Sequence, residues 1–335
     1  MSFSSIGDLS ASFQMRYFNA TLRRQANQLG MQLATGKHAD VAKSNKGDMS
    51  GLAAMSRTYE MITAFRHTGS EMETRADVMQ NALQVMQTLS DEAAPAFQIA
   101  ATSASNPTLA SNASAAESHL ATIIGALNTN IGGQYLFAGQ AYDQAPVIDA
   151  DAMLTTLQTL TASASTAADV NSIVTAYFGN SGGYEIDGYT GSPLASGAVR
   201  ISDSETVGVD VTAFDTEFRD LLQGFASAAL LNRGILGNSV SEQAKLMANA
   251  SAALSRATPA LVSTQSEIGS VQERIEAIQV RNQSQASAVQ IMLNEMTQAD
   301  PYETATALQA VEGQLEALYI STSRLSQLSL TRYLR

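Results

Sequence analysis

The glycines and prolines of this chain are concentrated in its middle. Ten of the 22 glycines lie between residues 132 and 208, and four of the six prolines lie between residues 95 and 193. Because both residue types interrupt regular helices, the flanking regions are the parts of the chain that can form long helices. The sequence therefore predicts a mainly α-helical protein with a segment of a different kind in its middle.

The N-terminal flank has the periodicity of an amphipathic helix. Apolar residues from Met15 to Leu33 recur about 3.6 residues apart, which is the repeat of one helix face. Gly36 follows at the position where a left-handed residue commonly ends a helix. We therefore expect a first helix that ends near residue 35 and a polar loop that continues through Asp48.

Two more helices are expected before residue 132. An apolar pattern from residue 52 to residue 86 predicts a long helix, with an interruption of the pattern near Arg66 and Gly69 that suggests local loosening. Ser114 and Glu117 have the spacing of a capping box, in which a serine and an acid three residues later bond each other's backbone N–H groups. That spacing predicts a third helix starting at Ser114.

The C-terminal flank repeats this organisation. A short apolar stripe covers residues 214–225, and Ser239 and Glu242 form another capping box. The helix that starts there is expected to reach residue 299, with a kink or interruption at Pro259. It carries a heptad seam whose polar layer is Asn282 and Gln285; the seam consists of Ile268, Val271, Ile275, Ile278, Asn282, Gln285, Val289, Met292 and Met296.

A last helix is predicted from Pro301 to the end of the chain. Asp300 has the residue type of an N-cap, proline suits the first helical position, and Glu303 places negative charge in the first turn. Both ends of the chain are therefore amphipathic helices.

The middle segment, residues 141–212, is predicted to be a small α/β insertion. Residues 199–202 and 207–211 alternate apolar and polar side chains as half-buried strands do, and residues 184–189 suggest a further strand. Helices are expected at residues 153–160 and 170–177.

The expected fold is a long antiparallel helical bundle or coiled-coil rod formed by both chain termini, with a small α/β insertion domain in the middle. It divides the chain into five parts. Residues 1–40 form an N-terminal assembly helix that pairs with residues 300–335, and residues 41–140 and 213–299 form the two halves of a helical rod domain. The insertion occupies residues 141–212.

The sequence offers little support for catalysis or for a bound cofactor or metal. Residues 179–183 fit the Gly-x-Ser-x-Gly pattern, but a nucleophile elbow needs a preceding strand and a later histidine, and all three histidines lie upstream. Asp149 and Asp151 begin like a calcium loop that lacks its glycine and its final glutamate. Cysteine is absent, which excludes disulfides and thiolate ligands. We therefore expect no enzyme, no cofactor and no metal site.

Charge and hydropathy argue against nucleic acid and membranes as binding partners. The net charge is −12, with only 19 lysines and arginines, so non-specific binding to nucleic acid or to an anionic membrane is not expected. The uncharged stretches 93–116 and 118–142 contain proline, glycine, serine or asparagine and do not suggest a membrane span. Residues 1–12 lack the basic and apolar regions of a Sec signal peptide.

The two terminal helices are expected to form an assembly interface. Each has a seam that one isolated helix cannot bury, so the helices can pair with each other and with neighbouring copies in a homo-oligomer. The residues expected at this interface are Met15, Leu22, Leu29, Leu33, Leu308, Val311, Leu315, Leu318, Leu325, Leu328, Leu330 and Leu334.

Three motifs resemble a known family. Residues 32–37 (Gln-Leu-Ala-Thr-Gly-Lys) resemble the end of the first helix in bacterial flagellins and their junction relatives. Residues 133–139 (Gly-Gln-Tyr-Leu-Phe-Ala-Gly) and the ending 323–334 are similar to the hook-associated protein 3 family of hook–filament junction proteins. The resemblance covers residues 1–140 and 213–335; the loop 41–48 departs from the family's proline-containing run.

The resemblance implies a structural subunit of the bacterial flagellum. Such a subunit would be exported through the flagellar type III apparatus with an export chaperone. Outside the cell it would polymerise as a short ring between the hook-associated protein 1 zone and the flagellin filament. Two alternatives stay open, namely a divergent flagellin that forms the filament itself and a secreted coiled-coil interaction or adhesion protein.

Overall fold

A computed structural model describes the backbone of residues 6–333 and the side chains of residue 10 and residues 12–324. The fold of this part of the chain is mainly α-helical, as the sequence predicts. Its helices are α1 (Ile6–Thr35), α2 (Val41–Ser44), α3 (Ser50–Ser103), α4 (Asn106–Leu127), α5 (Ala150–Thr161), α6 (Ala167–Phe178), α7 (Thr216–Asn232), α8 (Val240–Thr297) and α9 (Pro301–Tyr333).

The strands of this part of the chain form two small antiparallel hairpins. In the first, β1 (Asn130–Ile131) pairs with β2 (Gln134–Tyr135). In the second, β3 (Val199–Arg200) pairs with β4 (Thr206–Val207), with Val199 opposite Val207. Each strand is two residues long, so the strands predicted at residues 199–202 and 207–211 are present but shorter than expected.

Local capping chemistry sets several helix ends where the sequence predicts them. Gly36 follows α1 with a φ of +66°, and its N–H donates to the carbonyl of Gln32 at 2.8 Å. At the start of α9, Asp300 Oδ1 accepts hydrogen bonds from the N–H groups of Tyr302 and Glu303, at 2.8 and 3.1 Å.

The capping box before α8 is half formed. Ser239 Oγ accepts a 3.3 Å hydrogen bond from the Glu242 N–H, as predicted. The Glu242 carboxylate does not return to Ser239. It accepts from the Ala167 N–H at 2.7 Å, at the first residue of α6, and pairs with Lys245. Glu242 therefore connects two helices instead of closing one cap.

Two expectations about helix boundaries are wrong, namely the helix start at Ser114 and the interruption at Pro259. Helix α4 begins at Asn106 with Pro107 in its first turn, so Ser114 lies inside the helix and forms no cap. Helix α3 runs without a break through Gly69 and contains Pro95, and α8 runs through Pro259. Because α3 and α8 bury long apolar rows, tertiary packing outweighs the loss of one backbone hydrogen bond at each proline.

The middle segment contains the two predicted helices, α5 and α6, but not the strand expected around Tyr184. Residues Tyr184–Gly188 form a π-helical turn instead. Tyr184 is fully buried there, and its hydroxyl donates to the carbonyl of Ala213 at 2.8 Å. A long-range hydrogen bond to a buried carbonyl therefore sets the conformation of this turn, which no alternation of polar and apolar residues could indicate.

By its contacts the chain forms two compact units, and the boundary falls within α3 and α8. One unit consists of residues 1–62 and 284–335, and the other of residues 63–283. The five-part division inferred from the sequence stays a prediction.

The unit of residues 63–283 has one continuous hydrophobic core. Leu120 of α4 and Phe225 of α7 are fully buried in it, and so are Met153 of α5, Val170 of α6 and Ile201 from the β3–β4 hairpin. Side chains of the middle segment and of the flanking helices thus contribute to the same core.

Within this unit, α3 and α8 pack antiparallel with hydrogen bonds between side chains and backbone. Gln80 Nε2 of α3 donates to the Gln265 carbonyl of α8 at 2.7 Å. In the opposite direction, Gln279 Nε2 donates to the Arg66 carbonyl at 2.9 Å. Each glutamine lies near a glycine of the other helix, Gly269 facing Gln80 and Gly69 facing Gln279. The close approach at Gly69 explains the interruption that the apolar pattern shows there.

The heptad seam of α8 is confirmed only in part. Ile268, Ile275 and Ile278 are buried, and so is the polar residue Asn282. Gln285, the second member of the predicted polar layer, is exposed, so that part of the prediction is wrong. Asn282 is buried because its side-chain amide has a specific hydrogen-bond partner, the Ile201 carbonyl.

The two glycines should respond differently to alanine. A Cβ on Gly269 would lie 3.8 Å from Gln80 Nε2, whereas a Cβ on Gly69 would lie 2.4 Å from Gln279 Nε2. Gly269→Ala is expected to raise the free energy of unfolding by about 0.5–1 kcal/mol through helix propensity. Gly69→Ala is expected to gain almost nothing, because displacing Gln279 from the Arg66 carbonyl costs about 1 kcal/mol.

Urea unfolding followed by circular dichroism measures both values. Equal stabilisation by the two substitutions would contradict the assigned role of Gln279.

Candidate assembly interface

Helices α1 and α9 pack antiparallel within the unit of residues 1–62 and 284–335. The Gly36 carbonyl, just after α1, accepts from the Ala299 N–H at 3.0 Å, just before α9. Farther along the pair, Arg23 Nε donates to the Tyr319 hydroxyl at 3.1 Å, and the guanidinium carbon lies 5.8 Å from the centre of that ring. This hydrogen bond also lowers the pKa of Tyr319 below its ordinary value.

Each helix directs one heptad row toward the other. On α1 one row of half-buried residues alternates steps of four and three; it consists of Met15, Asn19, Leu22, Ala26 and Leu29. On α9 the corresponding row is Thr304, Leu308, Val311, Leu315 and Leu318, in which Thr304 and Val311 are 5% and 4% exposed. The steps of four and three keep these side chains on one face of each helix.

The structure brings most of the predicted interface residues to this helix pair. Met15, Leu22 and Leu29 lie in the α1 row, and Leu308, Val311, Leu315 and Leu318 in the α9 row. Leu22 and Leu318 also line a shallow groove along one side of the pair. Leu33 continues the α1 row but is 43% exposed.

Some predicted interface residues fall outside the described part of the chain. The side chains of Leu325, Leu328 and Leu330, and all of Leu334, lie beyond the described residues. Their placement at the interface stays a prediction.

A second apolar face on α1 was missed by the sequence analysis. Phe13, Tyr17 and Met31 are 71%, 59% and 59% exposed. At about 100° per residue they lie on the side of α1 opposite to the row that faces α9. The sequence of α1 does indicate this second face, because it contains more large apolar residues than one heptad row can hold.

Helix α9 has a similar outer face. Tyr302 and Ile320 are 83% and 49% exposed, and they are five helical turns apart, opposite to the row that contains Val311. Both helices of the pair therefore bury one apolar row against each other and expose apolar side chains on the far side.

The candidate catalytic motif forms a turn after a helix, and a residue of the candidate calcium loop forms an ion pair within the protein. The turn containing Ser181 follows helix α6, whereas a nucleophile elbow follows a strand. Asp151 forms a 2.7 Å ion pair with Arg233, which also binds Glu117. Among the described residues, no group of histidine and acidic side chains is arranged to hold a metal ion.

Within the described residues, every helix is too short or too polar to cross a lipid bilayer.

Comparison with known proteins gives a likeness in structure alone. No protein-family model matches the chain, and no curated protein matches its sequence. A solved structure from Vibrio parahaemolyticus, assigned as a flagellar hook-associated protein, aligns with a TM-score of 0.54 at 12% identity, covering 73% of this chain and 95% of that one. FlgL of Bacillus cereus aligns over 71% of this chain and 96% of its own, with a TM-score of 0.49 at 11% identity.

At such low identity the likeness concerns the fold. The chain shares its mainly helical fold with the Vibrio protein over most of both chains. The resemblance inferred from the sequence motifs is thereby confirmed at the level of the fold.

Two charges in the α9 row should separate the terminal helices. Leu315→Asp with Leu318→Asp is expected to weaken the α1–α9 pairing by about 2–4 kcal/mol, because two half-buried apolar side chains become charged. Hydrogen exchange should become faster in α1 and α9, while the unit of residues 63–283 melts at its normal temperature.

The matched control is Thr306→Asp with Gln309→Asp, which adds the same charge at exposed positions of α9. Equal exchange in the two variants would show that the row does not hold the pair together.

Proposed function

We propose that this protein is a structural subunit of the bacterial flagellum, and specifically a hook–filament junction protein. In this role it polymerises outside the cell as a short ring that joins the hook-associated protein 1 zone to the flagellin filament. The observation that carries the proposal is the terminal helix pair, whose apolar outer faces have no partner among the described residues of the chain, in a fold shared with a flagellar hook-associated protein.

The outer faces of the pair have the composition of an interface between proteins. Aromatic residues and methionine are enriched at such interfaces, and Phe13, Tyr17, Met31 and Tyr302 are of these types. Since α1 and α9 already bury their inner rows, a second copy of the chain is the occupant that the proposal requires. Head-to-tail contacts of this kind generate rings or helical polymers.

The family motif at residues 133–139 has a physical basis in the fold. Gly133 and Gly139 have φ angles of +84° and +60°, in the left-handed region that favours glycine. A Cβ on Gly139 would also lie 2.3 Å from the carbonyl oxygens of Ser192 and Leu194. Phe137 between them is fully buried against Phe218. The fold therefore requires glycine at positions 133 and 139 and a large apolar side chain at position 137, as in the family motif.

The proposal includes a non-enzymatic role and export by the flagellar type III apparatus with a chaperone. Its partners are further copies of the chain, hook-associated protein 1 and flagellin. A divergent flagellin would use the same helix pair along a whole filament, and a secreted adhesion protein would use it away from flagella. The position of the protein on the cell separates these three functions.

Labelling with a single thiol tests the position. The chain has no cysteine, so Ile186→Cys, at a residue that is 71% exposed in the middle segment, creates one reactive site. After maleimide labelling of living cells, we expect one fluorescent zone at the tip of each hook. Label along whole filaments would favour flagellin, and label away from flagella would favour the adhesion protein. Cells that carry the cysteine-free chain provide the background.

The helix-pair variant tests assembly separately from export. The protein with Leu315→Asp and Leu318→Asp should appear in the culture medium and be absent from hooks, because its terminal helices no longer pair. The variant with Thr306→Asp and Gln309→Asp should keep the helix pair, but it places charge beside Tyr302 on the outer face of α9, so it too should be exported and fail to enter hooks. Normal incorporation of the first variant would contradict the proposed role of the pair.

A further inference from the structure

The β3–β4 hairpin lies against α8 and is attached to it by polar contacts at three residues of the helix. Glu205 Oε1 accepts a hydrogen bond from Arg281 Nη1 at 2.7 Å, and Glu205 Oε2 lies 3.6 Å from Arg274 Nε. Asn282 Nδ2 donates to the Ile201 carbonyl at 2.9 Å. The Ile201 carbonyl is the hydrogen-bond partner that allows Asn282 to be buried.

The turn of the hairpin has its own short-range hydrogen bonds. The N–H groups of Ile201 and Ser202 donate to the Glu205 carbonyl at 3.1 and 3.3 Å. Ser202 Oγ accepts from the Glu205 N–H at 3.0 Å. The turn therefore presents the Glu205 carboxylate in a defined position. With strands of only two residues, the hairpin is too small to be stable alone, and its position depends on contacts with its neighbours.

The hairpin covers part of the apolar seam of α8. Arg274, Ile278 and Arg281 lie within one side of the helix when residues are placed 100° apart. Ile278 is 1% exposed, and Ile201 and Val207 of the hairpin, which are 0% and 3% exposed, belong to the same hydrophobic core. Because Glu205 contacts both Arg274 and Arg281, and Ile278 lies between these arginines on the same side of α8, the hairpin lies over Ile278.

The ionic contacts are weak one by one and depend on a single residue. The side chains of Arg281 and Arg274 are 53% and 56% exposed, and exposed ion pairs contribute little individually. Both arginines converge on Glu205, whose side chain is 24% exposed. The hydrogen bond from Arg281 also holds the pKa of Glu205 below its usual range, so the carboxylate stays charged at neutral pH.

We propose that residues 199–207 are a strap that opens and closes over α8 without unfolding of the helices, with Glu205 as its latch. Parts of a fold that are attached by few contacts open locally at lower free energy than the whole core. When the strap opens, Ile278 and Asn282 become accessible to solvent, while the contacts of α8 with α3 persist.

Thiol labelling in the cysteine-free chain measures this opening. Ile278→Cys places a thiol under the strap, and Ile268→Cys places one in the same helix and the same seam, at a residue that is likewise 1% exposed. Adding Glu205→Gln should raise the labelling rate of the thiol at residue 278 roughly three- to tenfold, as expected for loss of a small ionic network. The rate at residue 268 should not change.

Glu276→Gln is the matched control, because Glu276 is an exposed acid of the same helix on a different face. It should leave both labelling rates unchanged. High salt should raise the rate at residue 278 in the parent chain and have less effect after Glu205→Gln, because the ionic network is already lost.

A double-mutant cycle tests the latch itself. Arg274→Gln with Arg281→Gln should have the same effect as Glu205→Gln, and combining all three substitutions should give no further increase. If Glu205→Gln raises the rates at residues 268 and 278 equally, the strap does not open separately from the helices. If it changes neither rate, Glu205 is no latch. Either result would overturn the proposal.

Discussion

The antiparallel pairing of α3 and α8 is the interaction on which the rest of the unit of residues 63–283 depends. Helices of 54 and 58 residues gain most of their stability from burying an apolar row, since propensity alone contributes little. The relative position of the two helices is set by hydrogen bonds from Gln80 and Gln279 to backbone carbonyls, and Gly69 provides the space that Gln279 needs. A shift of either helix along the other would leave these amide groups without partners, so the register is well specified.

The middle segment is integrated into this arrangement. Helices α5 and α6 contribute Met153 and Val170 to the core formed by the flanking helices, and the Glu242 carboxylate joins α8 to the start of α6. The β3–β4 hairpin is attached to α8 through Arg274, Arg281 and Asn282. A segment with the composition of an insertion thus completes a core that the helices alone would leave partly exposed to water.

The terminal helices differ from this core in how completely they are buried. In α1 and α9 most of the facing residues are half-buried, whereas the α3–α8 pair contains many fully buried side chains. Apolar side chains such as Phe13 and Tyr302 point away from the partner helix and remain exposed. A helix pair with apolar residues on both sides can bury more surface by binding further copies of itself. This property connects the fold to the proposed role in a polymer.

The sequence by itself determined the features that arise within a few residues. The end of α1 at Gly36, the start of α9 at Asp300 and the rows that pair α1 with α9 follow from capping chemistry and helical period. The outer faces of these two helices were missed because a heptad interpretation assigns one row to each helix.

Only the tertiary structure decided which polar residues enter the core and where interrupted patterns continue. Asn282 is buried and Gln285 is exposed, although both fit the seam, because the Ile201 carbonyl, 81 residues away in sequence, is a partner for Asn282 alone. Helix α3 passes through Pro95 for a related reason, since packing of its neighbours Ala93 and Phe97 outweighs the lost backbone hydrogen bond. Such choices depend on groups that are distant in the chain, and local sequence patterns contain no information about them.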